Sequence, residues 1–151
     1  MIRPQRIAFT AFGEAKPAGS KRAFAFKRAD GSLGATVTDA CKATKSWQHV
    51  VATAALEAYH GPLLDGPLSV SMMFYRPRPR GHFGKRGLKQ SAPGWPTSRP
   101  DVLKLARAVE DALTKIVWTD DARIVVESLE KQWGEPARVE VTISEAEDDA
   151  H

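Results

Sequence analysis

Two kinds of apolar spacing alternate along this chain and limit the folds that it can adopt. Apolar residues recur at every second position over 7–11 and 68–74, which predicts strands with one buried face. They recur at intervals of three and four residues from about Thr44 to just before Gly61, and again over about 101–115, which predicts two amphipathic helices. A chain that mixes both periods is expected to pack helices on a sheet.

Four shorter segments complete the predicted sheet. Residues 24–26 and 33–38 flank a turn at 30–32, and residues 124–129 and 139–143 flank a second turn at 134–136, so each pair is expected to form a hairpin. We therefore predict a single α/β domain over residues 1–143, with a mixed five- or six-stranded sheet and two main helices packed on it. Residues 144–151 form an acidic tail that we expect to be flexible.

Length and composition place the chain among ordinary soluble proteins of one domain. Its 151 residues suffice for one core, and no apolar run approaches the roughly 20 residues of a membrane span. The N-terminus has no apolar segment typical of a signal peptide. The single cysteine, Cys41, cannot form an intrachain disulfide, which favours a reducing, cytoplasmic location.

Charge is distributed unevenly along the chain. Residues 1–100 hold 16 Lys and Arg against 5 Asp and Glu, whereas residues 101–151 hold 6 against 13. A basic segment suggests a polyanionic partner, and an acidic segment offers carboxylates for a metal, a combination typical of nucleases. The alternative from charge alone is a basic protein whose charge only keeps it soluble.

Three aspartates, Asp101, Asp120 and Asp121, form the candidate metal site. Phosphodiester hydrolysis needs a metal to polarise the phosphate and activate water, and magnesium prefers oxygen ligands. A helix start and a turn can meet in space, so the spacing allows one site. An ordinary structural interpretation is also open, in which Asp101 caps a helix and the Asp-Asp pair belongs to a turn.

Residues 76–100 follow neither period and are predicted to be a long loop. They contain five prolines, four glycines and seven Lys or Arg, with no acidic residue. Loops of this length are usually functional or disordered, and basic loops contact nucleic-acid phosphates. His82 and Phe83 lie within the basic run and could stack on bases, while the alternative is a solvated loop. A weaker phosphate-binding candidate is the turn at 19–22, with Lys21 and Arg22.

The stretch from Arg99 to Val125, RPDVLKLARAVEDALTKIVWTDDARIV, closely resembles the signature of the RusA family of phage-type Holliday junction resolvases. That signature reads roughly Pro-Asp-x-Asp-Asn/Lys-Leu, then an amphipathic helix with Asp-Ala-Leu, then Trp/Tyr-x-Asp-Asp-Ala-Gln-Val-Val. The turn at 19–22, the basic loop and the strand at 139–143 resemble phage and prophage members more loosely.

The resemblance implies a small homodimeric endonuclease of RusA-like fold that cuts four-way or branched DNA by paired nicks. Its cofactor would be Mg²⁺, with Mn²⁺ as a substitute. Asp101 matches the first family aspartate, Asp121 matches the catalytic aspartate, and Asp120 is its neighbour; all three are expected at the metal. Arg107 stands where members have a lysine that reaches the scissile phosphate. DNA contacts are expected from Lys21, Arg22, Arg76, Arg78, Arg80, His82, Lys85, Arg86, Lys89 and Lys104.

Leu103 departs from the family pattern, because a second aspartate is expected two residues after Asp101. A leucine cannot bind a metal, so this chain keeps three of the four usual acids. Glu110 lies on a similar face seven residues later, but about 10.5 Å along the helix axis, so we do not expect it to replace the missing ligand.

The combined hypothesis is a Mg²⁺-dependent endonuclease that resolves branched DNA in the cytoplasm of a bacterial host, encoded by a phage or prophage. It needs no membrane and no organic cofactor. One alternative is a junction-binding protein with weakened or lost catalysis, which Leu103 favours. A third reading is a less selective nuclease, or an interaction module, on the same scaffold.

Overall fold

The computed structural model describes residues 5–19, 25–27, 29–30, 33–35 and 39–147. Within these ranges the regular elements follow one another as β1 (Arg6–Phe12), β2 (Ala25–Lys27), β3 (Leu33–Ala35), α1 (Asp39–Ala58), β4 (Leu68–Arg76), β5 (Phe83–Gly84), β6 (Gly87–Leu88), α2 (Val102–Leu113), β7 (Ile124–Trp133) and β8 (Arg138–Glu145). Short 3-10 turns precede β5 and β7, at Arg80–His82 and Asp121–Arg123.

The main sheet has four strands in the order β1-β8-β4-β7. Strand β8 is antiparallel to both β1 and β4, whereas β7 is parallel to β4 and lies at the edge. The predicted hairpin between 124–129 and 139–143 is therefore wrong, because β4 lies between these two strands. After β7 the chain crosses the end of β4 and enters the sheet on its other side.

Gly134 permits this crossing. Its backbone N–H donates to the Arg76 carbonyl at 2.9 Å, at the end of β4. A Cβ at this position would lie 2.5 Å from the Tyr75 ring, so the connection can pass this close only without a side chain.

The number of strands in the main sheet is smaller than predicted. Strands β2 and β3 pair with each other in a separate two-stranded sheet, and β5 and β6 form another. The β2–β3 hairpin was therefore correctly predicted as local pairing, but it does not extend the main sheet. Alternation identifies a strand and one exposed face, and it does not say which sheet the strand joins.

Both helices contribute to one core on one face of the sheet. Buried side chains of α1 and α2 meet the inward-facing residues of the strands, with Val51, Val109, Val70, Met72 and Phe74 almost inaccessible to solvent. Helix α1 begins at Asp39, earlier than predicted, and α2 closely follows the predicted range. The mixed α/β architecture with two packed helices is thus confirmed.

The segment between β4 and α2 is a structured loop on one end of the sheet. A 3-10 turn, the β5–β6 hairpin and a hydrogen bond from Lys89 N–H to the His82 carbonyl (2.9 Å) hold its first half. Lys131 of β7 holds its second half, since its ammonium donates to the carbonyls of Ser98 and Pro100, both at 3.0 Å. No helix in the described ranges is both long and apolar enough to cross a bilayer.

The last strand runs two residues beyond the predicted domain end. Strand β8 continues to Glu145, and Ala146 N–H donates to the Pro67 carbonyl at 2.9 Å. The acidic tail therefore begins as part of the sheet, and residues 148–151 lie outside the described ranges.

Candidate functional site

Asp101 occupies the residue before the first turn of α2. It has the extended backbone of a helix cap, but its side chain makes no capping hydrogen bond. The carboxylate is exposed, and its ion pair with Lys104 is long, at 3.9 Å. Capping therefore does not account for this side chain, which is left available for a ligand.

Asp120 and Asp121 lie together at the 3-10 turn before β7. Asp120 accepts a hydrogen bond from Ala122 N–H at 2.9 Å, and this bond, with a second from the Asp121 carboxyl, lowers the pKa of Asp120. The same hydrogen bond to Asp120, then burial and the charges of Asp120 and Asp111, raise the pKa of Asp121. Asp120 therefore has the structural role of a turn residue, whereas the Asp121 carboxyl lies close to other acidic side chains.

A second pair of acids lies beside this turn. Glu110 of α2 is half-buried and hydrogen-bonded to Glu127 of β7. Burial, this hydrogen bond and the negative charges of Glu127, Asp121 and Asp111 raise the pKa of Glu110 to about 8. The Glu110 carboxyl therefore favours its protonated form, because ionisation would place a half-buried charge beside other acids.

Glu127 was not among the residues predicted for the site. In the sequence, Glu127 could have been recognised as an acid that interrupts the alternating apolar pattern of β7. It pairs with buried Val70 of β4, and Leu129 is the next residue of β7 on the same face. Glu110, which we did not expect to replace a ligand near Asp101, lies beside Glu127 of β7.

Asp101 and Asp121 lie at opposite ends of α2 within one chain. The 12 residues of α2 span about 18 Å, with Asp101 before the first turn and Asp121 after the last. Lys131 lies seven residues after Ile124, which is about 23 Å along β7. Because Lys131 binds the Pro100 carbonyl, the neighbouring Asp101 lies near the end of β7 that is far from Ile124. Among the described residues, no three His, Cys, Asp or Glu side chains of one chain are arranged to hold a metal.

Some of the basic residues predicted to contact DNA already bond to other groups of the protein, whereas others are exposed and form no ion pair with a described residue. Arg76 is largely buried and pairs with Glu14 at 3.6 Å, and Arg78 donates to the Pro93 carbonyl at 2.9 Å. Four others are exposed and form no ion pair with any described residue: Arg80, Lys85, Arg86 and Lys89. Lys21 and Arg22 lie outside the described residues.

His82 packs against Trp133 of β7 instead of standing free in the loop. The two rings are 5.2 Å apart between centroids and nearly perpendicular, at 89°. The Arg78 guanidinium lies 5.3 Å from the Trp133 ring centroid, and the indole N–H donates to Pro93 at 3.0 Å. The basic loop is thus anchored on the end of β7, next to the β5–β6 hairpin.

Comparison with known proteins identifies the family of this chain. The profile of the family described as endodeoxyribonuclease RusA matches residues 14–144, which is most of the chain. The chain belongs to the RusA family of endodeoxyribonucleases. It is also 31% identical over 146 residues to a Bacillus subtilis (strain 168) protein named uncharacterized protein YqaN, covering 92% of this chain and 96% of that protein.

RusA membership makes the protein a nuclease of the Holliday junction resolvase type, acting on branched DNA. Two positions of its motif can now be placed. Leu103, where the signature quoted above has an acid, is 70% exposed on the first turn of α2. Arg107 follows one turn later and is exposed on a similar face of the helix.

Proposed function

We propose that this RusA protein is a Mg²⁺-dependent endonuclease that resolves four-way DNA by paired nicks. The observation that carries the proposal is the crowding of Asp121 by Asp120 and Asp111, beside the Glu110–Glu127 pair. A bound cation would offset the mutual repulsion of these acids, which adds to the hydrogen bonding and burial that raise their pKa values.

The chemistry of the donor set fits magnesium. All of the acids offer oxygen ligands, and magnesium usually takes one or two carboxylates together with water and substrate phosphate. Asp121 and Asp101 would hold the ion, with Asp120 assisting. When bound, the ion supplies charge stabilisation on the phosphate and a more acidic water. Arg107 adds a positive charge for the phosphate oxygens.

A second chain is proposed to complete the site, because Asp101 and Asp121 are too far apart in one chain. Strand β7 is an edge strand, and a two-fold axis beside it would pair two copies of β7 in antiparallel fashion. The start of one β7 then lies beside the end of the other. This arrangement brings Asp121 of one chain toward Asp101 of the partner subunit, which Lys131 and Pro100 hold at the end of its own β7.

The surface around the β7 edge supports this choice. Val125 and Val126 are 62% and 54% exposed, although a ten-residue edge strand with apolar side chains favours pairing with another strand. A homodimer through this edge would cover these two side chains and pair the unpaired backbone groups of β7.

The decisive experiment is nicking of a synthetic four-way junction and of linear duplex of the same sequence, with and without Mg²⁺. We expect Mg²⁺-dependent paired nicks in the junction and little cleavage of the duplex. Asp121→Asn should reduce junction cleavage by orders of magnitude while binding survives or tightens, because the lost carboxylate repelled phosphate. Cleavage by Asp121→Asn at the parental rate would remove this residue from the site.

A non-catalytic junction-binding protein is the second candidate, and Leu103 favours it. Such a protein would bind the four-way junction in preference to duplex and leave it uncut in Mg²⁺ and in Mn²⁺. Selective binding without nicking at any divalent concentration would establish this alternative. Cleavage of duplex and junction at equal rates would instead indicate a less selective nuclease.

A further inference from the structure

An open cavity of about 370 Å³ lies at the end of the sheet, between the basic loop and the β7–β8 connection. Its lining combines aromatic and apolar residues with two charged ones: Arg78, Phe83, Leu88, Trp133, Gly134 and Glu135. Its size is within the range of small-molecule pockets. Nothing in the proposed cleavage chemistry uses this cavity.

The walls of the cavity are flat or apolar surfaces that remain exposed. Phe83 and Leu88 are direct cross-strand partners on the β5–β6 hairpin, so their side chains share one face of it. They are 48% and 53% exposed, although they are large and apolar. Trp133 on the opposite wall is held in place by its bond to Pro93 and by the contacts with Arg78 and His82.

The charges around the cavity distinguish its interior from its surroundings. Arg80, Lys85, Arg86 and Lys89 lie on or beside the hairpin and suit a phosphate backbone. Arg78 and Glu135 both lie in the cavity wall, and the Arg78 guanidinium already contacts the Pro93 carbonyl and the Trp133 ring. The Glu135 carboxylate can accept a hydrogen bond from a neutral N–H donor. Because these two opposite charges leave the wall without net charge, the interior suits a flat, neutral group with N–H donors, attached to an anionic backbone.

We propose that this cavity receives one nucleobase unstacked from the DNA junction, between the hairpin residues Phe83 and Leu88 and the Trp133 ring. The inference rests on the proposed function and adds a base-binding subsite to it. Bases stack on aromatic side chains without regard to sequence, and a base at a branch point has already lost part of its stacking. The subsite lies at the end of β7 where Asp101 also lies, so a base held there would fix the strand near the site of cleavage.

The test measures binding without divalent metal, so that cleavage plays no part. Four-way junctions are prepared in which one nucleotide at a time, at or next to the branch point, lacks its base. We expect the parent protein to lose about 5- to 150-fold in affinity at one such position, the range for loss of one base–aromatic stack. Phe83→Ala should lower the affinity for the intact junction by a similar factor. On the junction that lacks that base, Phe83→Ala and the parent protein should bind with the same affinity.

Two further variants make the result specific. Trp95→Ala removes another exposed aromatic side chain of the same loop that does not line the cavity, and should keep the parental sensitivity to the missing base. Phe83→Tyr keeps a ring and should bind like the parent. Because Phe83 is half exposed, Phe83→Ala should melt at the parental temperature.

The measurements separate failure of the proposed function from failure of the cavity assignment. A parent protein that does not prefer the junction over linear duplex overturns the proposed function, and this inference with it. A parent that prefers the junction but is insensitive to every missing base overturns the cavity assignment alone. The assignment also fails if Phe83→Ala weakens binding equally on all junctions, since the side chain then contacts no particular base.

Discussion

Leu103 departs from the family signature quoted above, and its surroundings make the departure testable. It is exposed on the first turn of α2, two residues from Asp101, so a shorter acid there would leave no cavity. We expect Leu103→Asp to change the free energy of unfolding of one chain by less than about 0.5 kcal/mol, as surface substitutions usually do. An acid is also favourable at a helix N-terminus.

The same substitution should affect the metal requirement. If the site lacks one carboxylate, Leu103→Asp raises junction cleavage at limiting Mg²⁺, and the parent protein works better with Mn²⁺, which binds more tightly than Mg²⁺ to such ligands. The measurement is cleavage rate against metal concentration for both proteins. A parent that cuts fast at low Mg²⁺, and a variant that cuts more slowly, would show that the site is complete with leucine.

The raised pKa of Glu110 should make the free energy of unfolding fall as the pH rises. Its pKa rises from 4.5 to about 8 on folding, because of burial and the neighbouring Glu127, Asp121 and Asp111. The folded protein therefore holds a proton that the unfolded chain loses, and this contribution is complete below pH 4.5 and lost as the pH rises through 8. For a half-exposed side chain we expect about 1–2 kcal/mol, after allowance for solvent screening.

Glu110→Gln should abolish this contribution to the pH dependence. The amide keeps the shape and a hydrogen-bond donor toward Glu127 without a charge, so the variant should gain stability relative to the parent as the pH rises from 5 to 9. Urea unfolding at several pH values measures the difference, with the exposed Glu57→Gln as the matched control on α1. Parallel pH profiles for parent and Glu110→Gln would contradict the raised pKa of Glu110.

At the scale of structural elements, the loop between β4 and α2 is expected to bind DNA by electrostatics. Each phosphate neutralised on duplex DNA contributes about −0.9 to the slope of log affinity against log salt. Replacing Arg80, Lys85, Arg86 and Lys89 together with Ala should flatten that slope by up to about 3–4 units if all four contact phosphate. Arg78 is left in place because it holds Pro93 and Trp133.

A matched control tests whether position matters as well as total charge. Lys42 and Lys45 are exposed on α1, outside the loop and outside the Asp120–Asp121 turn. Replacement of both with Ala should change the salt slope less than replacement of Lys85 and Arg86, which removes the same charge from the loop. Equal slopes for the two double variants would mean that the loop has no special role.

At the scale of the whole molecule, the proposed dimer predicts complementation between two inactive chains. In a composite site, a heterodimer of Asp101→Asn and Asp121→Asn has one site with both aspartates intact and one site with neither. Mixing the two variants should therefore restore single-strand nicking, at up to about half of the parental sites, with few paired nicks. Light scattering should give about 33 kDa, twice the 16.5 kDa of one chain.

Other arrangements give different outcomes. If each site lies within one chain, every site of the heterodimer lacks one aspartate, and the mixture stays inactive. A Val126→Lys substitution places a charge at the edge of β7 and should shift the parent toward monomers. Phe12→Lys is the matched change on β1, the other edge of the sheet, and should leave the dimer intact.

The sequence by itself determined the features that depend on local spacing. Helical and strand periods predicted both main helices and the strands other than the short β5 and β6, which lie in the segment predicted to be a loop, since each period is a direct consequence of burying one face. The motif from Arg99 to Val125 predicted the family, and the family profile confirmed it. These signals are contained within segments of at most about 30 residues, so no knowledge of distant neighbours was needed.

Only the tertiary structure decided which segments are neighbours. Strands β7 and β8 are consecutive in the chain but separated by β4, because β7 could pair in parallel with β4 and reach β8 by a short crossing at Gly134. The axis of α2 separates Asp101 from Asp121, which spacing alone allowed to meet. Glu127 contacts α2, and Trp133 contacts the basic loop. Both contacts join residues far apart in the sequence, so no local periodicity predicts them.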